Sequence, residues 1–137
     1  MSVNPSPEQM TALTEEGPEG PIVMVNLLKF RARAAYEPSQ PEAKESISGA
    51  EAYQRYGTVA QACVAEVGGN IVWGGPQAFV FIGGVDQDWD QVICVRYPSR
   101  QAFLKMVSAP NYLAATYHRI AGLERTVLLC CRAGTAA

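Results

Sequence analysis

The nine residues Ile22–Phe30 (IVMVNLLKF) are apolar on both alternation sets, apart from Asn26 and Lys29. A strand sends successive side chains to opposite faces, so this one must be covered from both sides. A second stretch makes the same demand. Residues 92–95 (VICV) are apolar throughout and lead into Arg96-Tyr97, after which Pro98 stops the strand because it has no N–H to donate. Ser99 follows as a natural N-cap, with Ala102, Phe103, Met106 and Val107 at helical spacing behind it. A buried strand therefore hands over directly to an amphipathic helix.

The remaining elements fall around these two. Residues 1–20 read as a polar surface arm with a helical turn or two over residues 7–13. Residues 31–46 carry two prolines, mixed charge and no period, a long solvated loop open either to a lid role or to disorder. Ser48 and Glu51 form an S-x-x-E capping box for a helix reaching Val67, with Tyr53, Tyr56, Ala60, Cys63, Val64 and Val67 as its apolar stripe and Gly68-Gly69 as its stop. Residues 70–82 read as a strand interrupted at Gly74-Gly75-Pro76 by a bulge, edge position or bend, and residues 83–88 as the hairpin turn that follows. Pro110 opens a further helix to Ala121, with Gly122 as its C-terminal stop. Residues 126–132 form the last strand.

With 137 residues there is room for one domain, expected over residues 21–133 between the arm and a loose tail at 134–137, and none for a second. A net charge of -2 offers no basic surface for nucleic acid or anionic lipid, so neither nucleic acid nor membrane is an expected partner. No apolar run approaches the roughly 18 residues of a membrane span, and the N-terminus lacks the basic and apolar regions of a signal peptide. The expected compartment is the cytoplasm. Cys63, Cys94, Cys130 and Cys131 sit in apolar patterns as small hydrophobes and form no C-x-x-C motif. With His118 the single histidine, no metal site is expected, and no dinucleotide, P-loop or nucleophile-elbow motif calls for a cofactor. Asp86, Asp88 and Asp90 read as turn acids.

Strand, helix, strand, strand, helix, strand is the order of a ferredoxin-like βαββαβ sandwich, an α+β fold with a four-stranded antiparallel sheet and helices on one face. The expected strand order in space is fourth, first, third, second. Helices cover only one face, yet the other is apolar too, so two chains are expected to pack sheet against sheet as a two-fold homodimer.

Met24-Val25-Asn26-Leu27-Leu28-Lys29-Phe30, Glu51-Ala52-Tyr53 with Arg55-Tyr56, Trp89-Asp90, Arg96-Tyr97-Pro98-Ser99-Arg100 with Ala102-Phe103, and Tyr112 with His118-Arg119 and Ala121-Gly122-Leu123 together resemble the family called domain of unknown function 1330. The resemblance runs over residues 22–132. It implies the dimeric α+β barrel superfamily, whose members include cofactor-free monooxygenases of aromatic polyketides or quinols, muconolactone isomerases, haem-handling enzymes and proteins of no known activity. It implies no reaction and no residue roles for this chain.

The two central strands, taken to run in the same direction, are expected to gather Asn26, Lys29, Arg31, Arg96 and Tyr97 at one sheet edge beside the helix starts at Ser48 and Ser99. Such an edge suits an anionic or carbonyl-bearing ligand. Candidate catalytic residues are His118 as general base, with Asn26 and Arg96 steadying negative charge. Structural duties compete with these: Arg96 as an ion-pair partner of Glu51 or another carboxylate, Asn26 as holder of a bulge or helix end, His118 as a solvated residue near a helix C-terminus. Candidate ligand contacts are Tyr53, Tyr56, Trp73, Tyr97, Arg119 and Lys29, the aromatics being equally suited to plain core. The function expected is binding of a small aromatic or carboxylate-bearing metabolite, with cofactor-free oxygenation or isomerisation as its catalytic form. The alternatives are a non-catalytic binding or accessory module and haem ligation through His118.

Overall fold

A computed structural model describes residues 2–134; the tail expected at 134–137 lies outside the described residues except for Gly134. The chain runs α1 (Pro7–Glu16), β1 (Ile22–Phe30), a 3-10 turn (Pro41–Lys44), α2 (Gly49–Glu66), β2 (Asn70–Pro76), β3 (Gln91–Tyr97), α3 (Arg100–Val107), α4 (Pro110–Gly122) and β4 (Leu123–Arg132). The strands form one antiparallel sheet in the order β2-β3-β1-β4, the order expected of a ferredoxin-like α+β sandwich.

Register assigns the faces, because directly opposed residues of an antiparallel pair share a side. Met24 pairs with Val95 and Cys130, and Asn26 with Ile93 and Leu128, which puts all six on the helix side. Ile22, Met24, Val95 and Tyr97 meet Tyr56, Cys63, Val64, Met106 and Tyr112 there as the core. Ile22, Leu28 and Leu123 are fully buried, each stabilising the fold by about 2 kcal/mol. The opposite, open face carries Val23, Val25 and Leu27 of β1, Val92 and Cys94 of β3, and Val127 and Leu129 of β4. Both faces of β1 are thus apolar.

Four expectations change. β1 and β3 run antiparallel, so the C-terminal end of one meets the N-terminal end of the other, and Ile22 rather than Phe30 lies beside Tyr97. The edge expected to gather Lys29, Arg31, Arg96 and Tyr97 is therefore divided between opposite ends of the sheet. Second, β2 ends at Pro76 instead of Ile82, where proline removes a ladder donor, and its bulge falls earlier, between Ile71 and Trp73. Residues 77–90 leave the sheet as a long connection. Third, the arm holds a full helix, α1, closed by a capping box in which Ser6 Oγ accepts from Gln9 N at 3.1 Å and Gln9 Oε1 accepts from Ser6 N at 2.9 Å. Fourth, the loop after β1 is tied down rather than disordered: Arg31 N donates to Gly122 O at 2.8 Å, Gly49 N to Arg31 O at 2.9 Å, and Ala34 N to Ile47 O at 3.0 Å.

Ser48 Oγ caps α2 by accepting from Glu51 N at 3.1 Å, half of the expected box. Ser99 caps α3 as its position after Pro98 predicts, accepting from Ala102 N at 3.1 Å. None of the described helices is long and apolar enough to cross a membrane.

Candidate functional site

Between the helices and the sheet lies an open cavity of about 1580 Å³. Its floor is the helix side of the sheet, where Met24, Asn26, Ile93, Val95 and Thr126 point up. Tyr53 and Tyr56, three apart on α2, project inward on one helical face, and Tyr112 and Arg119, seven apart on α4, do so from the other wall. Asn4, Gln9, Met10 and Leu13 of the arm line its outer side.

Burial sets the chemistry of the phenols. Tyr53 is pushed up to about 12 by loss of water, with the Arg119 guanidinium pulling the other way and Tyr112 adding to the rise. Tyr56 is pushed far above the ordinary phenol value by burial and then by Tyr112, whose hydroxyl lies 2.7 Å from its own. Tyr97 is raised by burial as well, and its hydroxyl donates to Met106 Sδ at 3.8 Å. All three stay protonated at neutral pH and act as donors, not bases. Asn26 Nδ2 donates to Ile93 O at 3.1 Å and to Met24 O at 3.4 Å, which ties the amide to β3. Among the described residues its Oδ1 receives no hydrogen bond. Arg119 donates to Asn4 Oδ1 at 3.3 Å and has no carboxylate partner among the described residues.

Five of the residues expected at a site, Asn26, Tyr53, Tyr56, Tyr97 and Arg119, thus line one cavity. Four do not. Arg96 pairs with Val23 and so points to the open face, where among the described residues it meets neither Glu51 nor any other acid. Trp73, opposite Cys94, shares that face and is 56% exposed. Lys29 stands at the open-face end of β1, in ion pairs with Asp88 at 3.0 Å and Asp90 at 3.5 Å. His118 sits under the loop after β1: Tyr36 Oη lies 2.7 Å from its Nδ1, and its ring stacks on Tyr117 with centroids 4.1 Å apart. Tyr117 in turn donates to Glu42 at 2.9 Å. The expected meeting of His118, Asn26 and Arg96 does not occur, because they occupy three separate places. Among the described residues no three His, Cys, Asp or Glu side chains are grouped as a metal would require.

Tyr112, Thr126, Glu51 and the arm residues are among the cavity contacts that sequence reading did not propose. Tyr112 begins the apolar stripe of α4, a signal for burial, but only the crossing of α2 over α4 brings its hydroxyl to Tyr56.

The sheet order, the helices on one face and the cavity between them define a ferredoxin-like α+β protein. Over residues 43–131 the chain matches the family described as domain of unknown function (DUF1330), and it belongs to that family. It is 34% identical to RPA0582, a protein of unknown function from Rhodopseudomonas palustris, with TM-score 0.86 over 97% of this chain and 97% of that one. At 11% identity it shares its fold with a dimeric protein of unknown function and ferredoxin-like fold from Bacteroides fragilis, TM-score 0.51, over 82% of this chain and 96% of that one. A dabb family protein with a ferredoxin-like fold from Mesorhizobium loti stands at 10% identity and TM-score 0.51, over 84% and 98% of the two chains. No curated protein matches.

Proposed function

We propose that this protein binds a small aromatic, carboxylate-bearing metabolite in the cavity between its sheet and helices, and does so as a homodimer joined through the open sheet face. The observation that carries the ligand reading is Arg119: a guanidinium on the wall of a largely apolar cavity, answered among the described residues by the neutral Asn4 and no carboxylate, beside the protonated phenol of Tyr53. A guanidinium fork and a phenol donor match a carboxylate, the remaining rings and methionines match an aromatic body, and Asn26 Oδ1 is left to accept from a hydroxyl. The homodimer reading is supported by the apolar open face and by the dimeric relative of the same fold. Four free cysteines, Cys63 among them buried, favour a reducing compartment such as the cytoplasm.

Tyr53 and Tyr56, held protonated by burial, serve a bound ligand as hydrogen-bond donors, while His118 lies outside the cavity under the loop after β1.

A thermal-shift screen of the full chain against aromatic carboxylates, quinols and lactones tests the proposal. A carboxylate present at a hundred times its Kd adds about 2.7 kcal/mol and raises Tm by roughly 5 °C or more. Arg119→Ala abolishes that shift, and Arg96→Ala, on the far face, leaves it intact. Silence across the whole carboxylate set, or a shift that survives Arg119→Ala, overturns the ligand reading.

A further inference from the structure

Residues 77–90 are anchored at their base and bare at their tip. Arg125 and Lys29, both on the open face, hold the base: Arg125 Nη2 donates to Asp88 O at 2.8 Å, its guanidinium lies 4.2 Å above the Trp89 ring, and Lys29 Nζ lies 3.0 Å from Asp88. Asp90 N donates to Leu28 O at 2.8 Å, and Phe30 N to Asp90 Oδ2 at 2.8 Å. These contacts route the connection across the ends of β1 and β4 on the side away from the helices. The tip is apolar and uncovered, with Phe79 73%, Phe81 86%, Ile82 88% and Val85 98% exposed.

We infer that residues 77–88 form an arm that docks on the open sheet face of a second copy of this chain, laying Phe81 and Ile82 on its apolar strands and setting Asp86 against its Arg96. The inference rests on the homodimer reading and deepens it. Three observations select a second copy. The arm leaves its own sheet on the apolar open face, so the two surfaces are continuous. Its stem and tip carry Asp86, Asp88 and Asp90 and no lysine or arginine, which disfavours anionic lipid and nucleic acid. Arg96 breaks the open face and, among the described residues, has no acid beside it, so covering that face leaves a buried charge unless the partner supplies one. A two-fold axis in the sheet plane and across the strands lays the arm end of one copy over the Arg96 end of the other. Reach is ample, since packed sheets lie about 10 Å apart and each extended residue adds about 3.3 Å.

Sedimentation equilibrium on the full chain from nanomolar to micromolar concentration tests this, with circular dichroism confirming that each variant folds. Wild type is expected to dimerise, and Phe81→Ser with Ile82→Ser to raise the dissociation constant at least about tenfold. Asp86→Arg and Arg96→Asp each weaken association roughly fivefold or more, and combining them restores it to within about threefold of wild type. A wild-type dimer unmoved by the Phe81/Ile82 change overturns the arm and leaves the homodimer standing, and a failed charge-swap rescue overturns its placement. A monomer at all concentrations removes both, as does a monomer that instead binds phosphatidylcholine vesicles through its Phe81 tip.

Discussion

His118 is a weak base held in a partly dry place. Burial lowers its pKa below the ordinary imidazole value, the Glu42 carboxylate opposes that change and Arg55 reinforces it. A histidine with a depressed folded pKa takes up its proton more readily in the unfolded chain. Stability therefore falls as pH drops below the unfolded value near 6.5, and the fall levels off below the folded one. Glu42, whose pKa is lowered in spite of burial by its bond from Tyr117, acts in a separate window below its own unfolded value. Urea midpoints between pH 7 and pH 5 should decline more steeply for wild type than for His118→Asn, which keeps an acceptor for Tyr36. Equal slopes would show that the imidazole is not the titrating group. The sequence made His118 conspicuous as the lone histidine, but not its partner Tyr36, 82 positions away. Arg96 illustrates the same limit in a strand. Val95 and Arg96 differ by one position and by a whole face, and only the pairing of Asn26 with Ile93 shows that Arg96 lies opposite to Asn26.

Helix boundaries were the most legible elements, because Ser48, Ser99 and Pro110 announce themselves through caps and fixed backbone angles. Gly122 was legible only as a stop. In the fold it closes the last turn of α4 where that helix meets the start of α2: a Cβ on Gly122 would lie 2.5 Å from Gly49 O, and one on Gly49 would lie 2.6 Å from Gly122 O. Neither glycine has positive φ, so close approach and not backbone freedom fixes both positions. Gly122→Ala should destabilise the protein by about 2 kcal/mol through overpacking, read as a lower urea midpoint at unchanged m-value. A change under about 0.5 kcal/mol would mean that the crossing relaxes freely. β2 was overextended for the opposite reason. Residues 79–82 (FVFI) have strand-like composition, but hydrophobicity alone cannot tell a paired strand from an exposed arm once Pro76 has broken the ladder.

At the scale of the molecule, the two-sided sheet was written into Ile22–Phe30, because alternation reports both faces of a strand at once. The cavity was not, since its volume depends on which side chains fail to fill the space between layers that the sequence places correctly. Its outer wall is less visible still. α1 buries none of its residues and has a weak apolar pattern, yet Met10 and Leu13 line the cavity, and Asn4 ahead of it is bonded to Arg119. The chain behind α1 is held separately, by Arg100 donating to Pro18 O at 3.0 Å and pairing with Glu19 at 3.3 Å. Removing residues 2–16 therefore takes away a cover without touching the core or the Arg100 anchor. The truncated chain should keep its Tm to within about 3 °C, because little apolar area is re-exposed beyond the cavity wall itself. Its cavity should take up an apolar fluorescent dye severalfold more strongly, since the outer side is then open to solvent, and a carboxylate ligand should dissociate faster with Arg119 uncovered. A collapse of Tm would instead make α1 part of the folding unit, and unchanged dye uptake would mean that the cavity is entered from another side.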